Sequence, residues 1–419
     1  MPRIARPLQV LLVGLLAVGL RAEVMLNLKE NIKLPSSYAN NMFSTNVTDH
    51  GYEWLTGTAE KSDFMDNFVV VVGETKFVQV LNMAKYKTMQ SNITDAKYID
   101  APGTDAATCK SADGEKLVAV ATEGLASKQD PGRVLIFTLS DMGKLTFISE
   151  ISTIGALPDS IHWTKNCRKI ICAIEGEAAA SGTSFVNPEG GVAFIDFPTD
   201  EPVSTGAMGS KPVAAELVAA GVRWSLTPER AAMIDDQDAT EGAAQMTIPA
   251  DQTTFSRDLE PEYVVLNHDE TKAWITLQAF ALNFAPENCA VAIVDIATME
   301  IERIVPIPHK DWSQYPEGFD ASNKDSGVNM QPWNVTGMRM PDTVKAFKAG
   351  NGKEYLVMSN EGDDKEYVWD NDAVWTEMIR GKDVTGVVAP LSDSYSLDDV
   401  KDQVWHRKRD GRGVGMREI

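Results

Sequence analysis

The chain has 419 residues, of which 60 are acidic and 39 are basic, so its formal net charge at pH 7 is −21. This charge argues against nucleic acid as a partner, because binding to phosphates requires a positively charged surface. It favours divalent cations, cationic proteins or mineral surfaces as partners, although acidity also serves simply to keep a secreted protein soluble.

The first 22 residues predict secretion. Arg3 and Arg6 precede an apolar stretch over residues 8–20, and the segment ends at Ala22, which is the arrangement of a cleaved signal peptide. A signal anchor that stays in the membrane is the alternative, but the apolar stretch is shorter than the roughly 20 residues that a span requires. No later stretch predicts a transmembrane segment, so we expect a secreted or cell-surface protein.

Two further features suit a secretory chain. Three Asn-X-Ser/Thr sequences predict N-glycosylation. Their asparagines are Asn46, Asn92 and Asn334. The four cysteines are Cys109, Cys167, Cys172 and Cys289. They are too few for a disulfide-based scaffold, but one or two bridges are expected in an oxidising compartment, with a pairing that the sequence does not determine.

A repeated hairpin is the main structural signal. Four segments each have an apolar strand, a polar turn rich in Asp, Asn or Gly, and a second apolar strand. These segments are residues 107–124, 160–177, 262–279 and 344–362. A third strand follows in most units, at 132–139, 190–197 and 289–296, and residues 67–83 predict another two-stranded piece with the turn "GETK". Such units predict an all-β fold of the β-propeller type, with a pair of β-sandwiches as the main alternative.

Two regions interrupt the repeats. Residues 198–256 combine a short helical pattern with a polar stretch, which predicts a long excursion between blades. Residues 401–419 are basic and glycine-rich without a strand pattern, which predicts a disordered tail. The predicted organisation is therefore a signal peptide at 1–22, a propeller at 23–400 and a tail at 401–419.

Carboxylates at the ends of the repeated strands form a candidate cation site. Equivalent loops of successive propeller blades lie on one face, so the residues after each second strand should meet there. Those residues are Glu123, Glu175, Gln278 and Glu361, and the last of them is followed by Asp363 and Asp364. The strand before Glu361, "KEYLVM", is predicted to be buried. Like charges this close repel, and calcium prefers carboxylate oxygens, so calcium is the expected ligand. Ordinary solvated turns are the alternative.

Two other acidic stretches have weaker patterns. Asp320 and Asp325 lie in "FDASNKDSGVN", an oxygen-rich loop that lacks the EF-hand spacing and that a plain turn would also explain. Glu260 and Glu262 flank Pro261 in "RDLEPEYVV", where an ion pair with the nearby arginine and a binding role are equally compatible with the pattern.

The sequence gives little support to several enzyme classes. Its five histidines are scattered, which argues against a zinc site. The nucleophile elbow, the Walker loop and the Rossmann glycine pattern do not occur. A role other than catalysis is therefore favoured.

Several stretches together resemble one family. They are "AAGVRW", "DLEPEYVVLNHDETKAWITLQ", "AVAIVDI", "FDASNKDSGVN", "MPDTV" and "NEGDDKEY", in this order. The chain resembles the choice-of-anchor I proteins over residues 107–367, a family that includes mesenchyme-specific cell-surface glycoproteins of echinoderm skeleton-forming cells. The resemblance implies a propeller of YVTN or WD-repeat type, a secreted or surface-tethered location, and a role in calcified-matrix formation.

The chain also departs from that family. Asn323 and Ser326 stand where Asp and Gly are usual, which should weaken any cation site in that loop. Relatives look longer beyond the "NEGD" motif, so the propeller is expected to be incomplete at its C-terminal end.

Together these patterns predict a secreted acidic glycoprotein that binds calcium ions or calcified matrix, with extracellular matrix proteins as further partners. The predicted calcium ligands are Glu123, Glu175, Asp320, Asp325, Glu361, Asp363 and Asp364. Two alternatives stay open. One is a calcium-dependent propeller hydrolase of lactonase or phosphoesterase type that uses Glu175, Asn360 and Glu361. The other is a metal-free scaffold for protein interactions.

Overall fold

The structure is a computed structural model that describes most residues between 34 and 360 and a few short strands beyond. The described residues are 34–44, 46–53, 56–84, 93–181, 184–197, 209–211, 257, 259–278, 290–307, 310–314, 318–320, 327–333, 336–337, 339–360, 366–368, 374–376, 378–380 and 404–406. Within these ranges the chain folds into strands and short 3-10 turns.

The N-terminal segment begins with a small hairpin. Strand β1 (Ser37–Tyr38) pairs with β2 (His50–Gly51), and 3-10 turns at Ala39–Asn41 and Val47–Asp49 lie between them. The Tyr38 hydroxyl donates a hydrogen bond of 2.7 Å to Oε1 of the buried Gln79, which fixes this segment to the first large sheet.

Four four-stranded antiparallel sheets follow in the described residues. Blade 1 has β3 (Lys61–Met65), β4 (Phe68–Val72), β5 (Phe77–Asn82) and β6 (Ile93–Tyr98). Blade 2 has β7 (Gly103–Lys110), β8 (Lys116–Thr122), β9 (Pro131–Leu139) and β10 (Leu145–Ala156). Blade 3 has β11 (Pro158–Trp163) and β12 (Lys169–Ile174), then a side hairpin of β13 (Ala179–Ser181) and β14 (Ser184–Val186), then β15 (Gly191–Asp196) and β16 (Gly209–Lys211). Blade 4 has β17 (Pro261–Leu266), β18 (Lys272–Leu277), β19 (Ala290–Asp295) and β20 (Glu300–Pro306).

The remaining strands pair in twos. They are β21 (Lys310–Asp311) with β24 (Thr336–Gly337), β22 (Phe319–Asp320) with β23 (Met330–Gln331), β25 (Pro341–Lys348) with β26 (Glu354–Asn360), β27 (Glu366–Val368) with β28 (Val374–Thr376), and β29 (Met378–Arg380) with β30 (Val404–His406). The β25–β26 hairpin is the described part of blade 5.

Blades 2 and 3 bury both of their faces because apolar residues occupy successive positions along their inner strands. In β8, Val118 and Val120 pack against blade 1, whereas Leu117 and Ala119 pack against blade 3. In β12, Ile170 and Cys172 face blade 2, while Ile171 and Ala173 face blade 4. The core therefore consists of apolar layers between neighbouring sheets, as stacked blades require.

The first strands of successive blades lie side by side around a common channel, since β3 contacts β7, β7 contacts β11, β11 contacts β17, and β17 contacts β25. Hydrogen bonds join these strands across the blades. Asp63 Oδ2 accepts from the Thr108 N–H (2.6 Å), and Asp105 Oδ2 accepts from the Ile161 N–H (2.8 Å).

This arrangement is a β-propeller, and it confirms the fold class that the repeated hairpins predict. In the part of the chain that the structure describes, no sheet closes on itself and blade 5 has two strands, in agreement with an incomplete propeller.

Three details differ from the sequence-based expectation. The strand "KEYLVM" is largely exposed, with 60% of Val357 accessible, because β26 pairs only with β25 among the described residues. Within the predicted excursion, residues 209–211 form the fourth strand of blade 3, and the rest of 198–256 lies outside the described residues. Within the predicted tail, Val404–His406 forms a strand, in keeping with the high β-propensity of valine and tryptophan.

A disulfide bond links blades 2 and 3. It joins Cys109, in β7, to Cys167, in the turn after β11, across a sequence separation of 58 residues. Cys172 is free and buried in the layer between the same blades, and Cys289 lies outside the described residues.

Removing the disulfide with Cys109→Ala/Cys167→Ala should lower the free energy of unfolding by about 2–4 kcal/mol, because opening a loop of this length gives the unfolded chain more entropy. Urea denaturation under non-reducing conditions measures the effect. An unchanged midpoint would show that this bridge contributes nothing to stability, and Cys172→Ala serves as the control for the loss of a buried cysteine.

Candidate metal centre

The fold brings two positions of every blade to one mouth of the channel. The second strand of a blade ends beside the start of the first strand, as the pairs Pro158 with Ile174 and Pro261 with Leu277 show. In blades 2 to 4 the residue after the second strand donates its N–H to the carbonyl just before the first strand, from Glu123 to Pro102 (3.1 Å), Glu175 to Leu157 (2.9 Å) and Gln278 to Glu260 (3.1 Å). In blade 1, Glu74, two residues after the second strand, donates to the carbonyl of Gly57, four residues before the first strand (2.8 Å).

The first strands also begin with a shift in register directly after their first residue. In blade 3 the shift falls at Asp159, in blade 4 at Glu262 and in blade 5 at Asp342. A bulge of this kind redirects a side chain out of the regular ladder. Proline precedes each of these acids, and it fits the first position of a strand because it has no N–H to donate.

Three carboxylates converge at the mouth. One oxygen each of Asp159, Glu175 and Glu262 lies within 4.8 Å of an oxygen of each of the others. We refer to these three residues as the inner carboxylates. The buried Oε2 atom of Glu262 has no hydrogen-bond partner among the described residues, which is costly for a carboxylate oxygen unless another ligand satisfies it.

Burial and mutual repulsion act on the protonation of the inner carboxylates. Burial first, and then the charges of Glu262 and Asp159, hold the pKa of Glu175 well above its ordinary value. Burial, followed by repulsion from Asp159, likewise holds the pKa of Glu262 well above normal, although Lys61 opposes the shift. Burial raises the pKa of Asp159 despite the attraction of Lys61. The cluster therefore retains protons more strongly than exposed carboxylates do.

One lysine enters the cluster from across the channel. Lys61 Nζ, at the start of blade 1, lies 2.8 Å from Asp159 Oδ2 and 5.0 Å from the centre of the Tyr263 ring. Burial lowers the pKa of Lys61, but its pairing with Asp159 outweighs burial, so the net effect raises it. Lys61 thus remains charged and offsets part of the negative charge.

Asp159 and Glu175 line a cavity with a volume of about 190 Å³, and a second group of acids lines it as well. This outer group consists of Glu60, Glu74, Glu123 and Glu177. Lys128 Nζ pairs with Glu177. Burial raises the pKa of Glu123, Lys128 opposes this shift, and the neighbouring glutamates add to it. The cavity therefore contains more acids than bases.

The structure brings together only some of the calcium ligands predicted from the sequence. The structure brings Glu123 and Glu175 to the same cavity. Asp320 lies in the β22–β23 hairpin and is not among the described residues that line this cavity. Asp325, Glu361, Asp363 and Asp364 lie outside the described residues. Of the predicted glycosylation sites, Asn46 is exposed, and Asn92 and Asn334 lie outside the described residues.

The sequence pattern did not single out Asp159, and it left the role of Glu262 open. The available signal was the repeated pair of proline and acid at the start of first strands, in "LPDS", "EPEY" and "MPDT". The stretch "GETK" indicated only a turn. Its Glu74 donates its N–H to a carbonyl ahead of the first strand of its blade, as Glu123 and Glu175 do in later blades.

The ligand chemistry of the inner carboxylates suits a hard divalent cation. All three ligands are oxygens, which calcium and magnesium prefer and which zinc uses less than nitrogen and sulfur. Two oxygens on opposite sides of a calcium ion are about 4.8 Å apart, twice the typical calcium–oxygen distance. The 4.8 Å limit on the inner carboxylates is therefore compatible with calcium.

Fold and site together define a β-propeller with an acidic, oxygen-lined cavity at one mouth of its channel. The chain belongs to the choice-of-anchor I domain family, whose model matches residues 60–408. A mesenchyme-specific cell surface glycoprotein of Strongylocentrotus purpuratus is 34% identical over 110 residues, which amount to 26% of this chain and 13% of that protein. The aligned part is a small fraction of that protein, so it indicates relationship rather than shared activity.

Solved structures of low identity are also similar. The Pseudomonas aeruginosa periplasmic gluconolactonase PpgL is 13% identical with a TM-score of 0.35, covering 70% of this chain and 61% of that chain. The β-propeller domain of Myceliophteria thermophila Cps50 (Swd1) is 10% identical with a TM-score of 0.36, covering 85% of both chains. Such values support no functional inference.

Among the described residues, no helix is long and apolar enough to cross a membrane.

Proposed function

We propose that this protein is a secreted or cell-surface glycoprotein that binds calcium through Asp159, Glu175 and Glu262. The observation that carries the proposal is the convergence of these inner carboxylates, one of which has a buried oxygen without a hydrogen-bond partner. A cation with several coordination positions would satisfy that oxygen and remove the repulsion at once.

An extracellular location supports the choice of calcium. The N-terminal pattern of a signal peptide and the Cys109–Cys167 disulfide both fit an oxidising compartment. Calcium modules outside the cell commonly bind with dissociation constants of about 10⁻⁴–10⁻³ M. A site with three carboxylates and an opposing lysine should fall in that range.

We further propose that the bound calcium serves in calcified matrix, as the family resemblance implies. The relationship to the mesenchyme-specific cell surface glycoprotein supports a location at the cell surface, where such a role would be exercised. The shape of the site favours individual ions over a crystal face, because Asp159 and Glu175 line a recess of about 190 Å³ that a flat mineral surface could not enter.

The direct test is calorimetric titration of the secreted chain with calcium. We expect saturable binding and an increase in the free energy of unfolding of about 2.7 kcal/mol when calcium exceeds its dissociation constant 100-fold. Magnesium should bind more weakly, because it requires a smaller octahedral site and gives up its water reluctantly. Absence of both heat and stabilisation at about 10 mM calcium, tenfold above the weakest expected dissociation constant, would refute the proposal.

A further inference from the structure

We infer that Lys61 is a built-in competitor that occupies the calcium site in the absence of the ion and thereby sets its affinity. This inference rests on the proposed calcium function. It concerns the lysine that, among the described residues, forms an ion pair with an inner carboxylate.

The first step is the position of Lys61. It begins the first strand of blade 1, yet its ammonium group reaches Asp159 on the first strand of blade 3. Its side chain is 21% exposed and that of Asp159 is 15% exposed, so the ion pair is largely shielded from water. Among the described residues, this is the only ion pair that any inner carboxylate makes.

The second step is that the pair holds only part of the cluster. A lysine ammonium is a single charge, and Lys61 lies within ion-pair distance of one inner carboxylate. The Glu262 oxygen without a partner is not satisfied by it. Lysine therefore competes for Asp159 without replacing an ion that would bind all three carboxylates.

The third step is that Lys61 has a second interaction partner besides Asp159, the aromatic ring of Tyr263. Its Nζ already lies 5.0 Å from the centre of the Tyr263 ring, within the range of a cation–π interaction, and the Lys345 ammonium group lies 5.2 Å from the same centre. Rotation of the flexible side chain can release Asp159 and keep the ammonium beside this ring. The aromatic ring thus lowers the cost of displacing Lys61 when calcium enters.

Removal of Lys61 should therefore strengthen calcium binding. Replacing Lys61 with methionine in the secreted chain is expected to lower the dissociation constant for calcium about tenfold, the effect of about 1.4 kcal/mol of lost competition. The same variant should unfold at a lower urea concentration than the wild type in chelator, because its acids lose their counter-charge.

Three further variants sharpen the test. Lys110→Met removes an exposed lysine at the other end of the channel and should leave calcium affinity unchanged. Tyr263→Leu removes the aromatic ring beside the Lys61 ammonium group and should weaken calcium binding. In a Lys61→Met background it should have no effect on calcium affinity. Lys61→Arg retains the positive charge, so it should fold even if the methionine variant does not. It should bind calcium no more tightly than the wild type.

The outcomes separate this inference from the proposed function. If the wild type binds calcium and Lys61→Met binds no more tightly, Lys61 is not a competitor, while the proposed function stands. If neither protein binds calcium, both ideas fail. A tenfold gain in Lys61→Met, without a gain in Lys110→Met or Lys61→Arg, supports the inference.

Discussion

Calcium binding should weaken about 100-fold, or by about 2.7 kcal/mol, when Glu175 or Glu262 is replaced by glutamine. Two unit charges 4 Å apart interact by roughly 4 kcal/mol at an effective dielectric constant of 20, and part of this is offset by desolvation. Glutamine retains the size of the side chain and resembles the protonated acid that burial already favours. The variants should therefore fold, and calorimetric titration measures their loss of affinity.

A matched control tests whether the effect depends on the site. Asp269→Asn makes the same change of charge in blade 4, but in the exposed turn at the far end of β17. Its calcium affinity should equal that of the wild type. Equal losses in Asp269→Asn and Glu262→Gln would show that only net charge matters, and the assignment of the inner carboxylates would then be wrong.

The second large effect should be a reversal of the pH dependence of stability by calcium. The pKa values of Glu175 and Glu262 are raised in the folded protein, so the folded state binds more protons than the unfolded state above the ordinary glutamate value of 4.5. Stability without calcium should then fall as pH rises through this region, by about 1.4 kcal/mol per pH unit for each proton retained. Calcium replaces the protons and should stabilise most at high pH.

Urea denaturation across this pH range, in chelator and in saturating calcium, measures the reversal. The double variant Glu175→Gln/Glu262→Gln lacks the two titrating groups, so its stability in chelator should fall less with pH than that of the wild type. Parallel curves for the wild type and the double variant would mean that these carboxylates do not titrate in the proposed way.

The fold could largely be predicted from the sequence because its signals are local. Alternating apolar residues and turns rich in Asp, Asn and Gly lie close together in the chain, and they identified the hairpins of blades 2 to 5. Residues 198–256 leave a long gap between the repeats of blades 3 and 4, which we interpret as an excursion because it has no such local signal. The structure shows that β11 and β17 are neighbours, so blades 3 and 4 are adjacent despite the gap.

The site could be predicted only in part because its geometry depends on several blades. Glu123 and Glu175 were found through their equivalent positions in the repeat. Asp159 was not, because the proline–acid pair recurs at the start of three first strands but does not by itself show that the acid faces a channel. Lys61 was not either, because its partner is 98 residues away and lies on another blade.

The inner carboxylates belong to two neighbouring blades, since Asp159 and Glu175 come from blade 3 and Glu262 from blade 4. An ion bound by all three would crosslink blades 3 and 4 at one end of the channel. The force needed to separate these two blades would then increase with the concentration of free calcium around the protein.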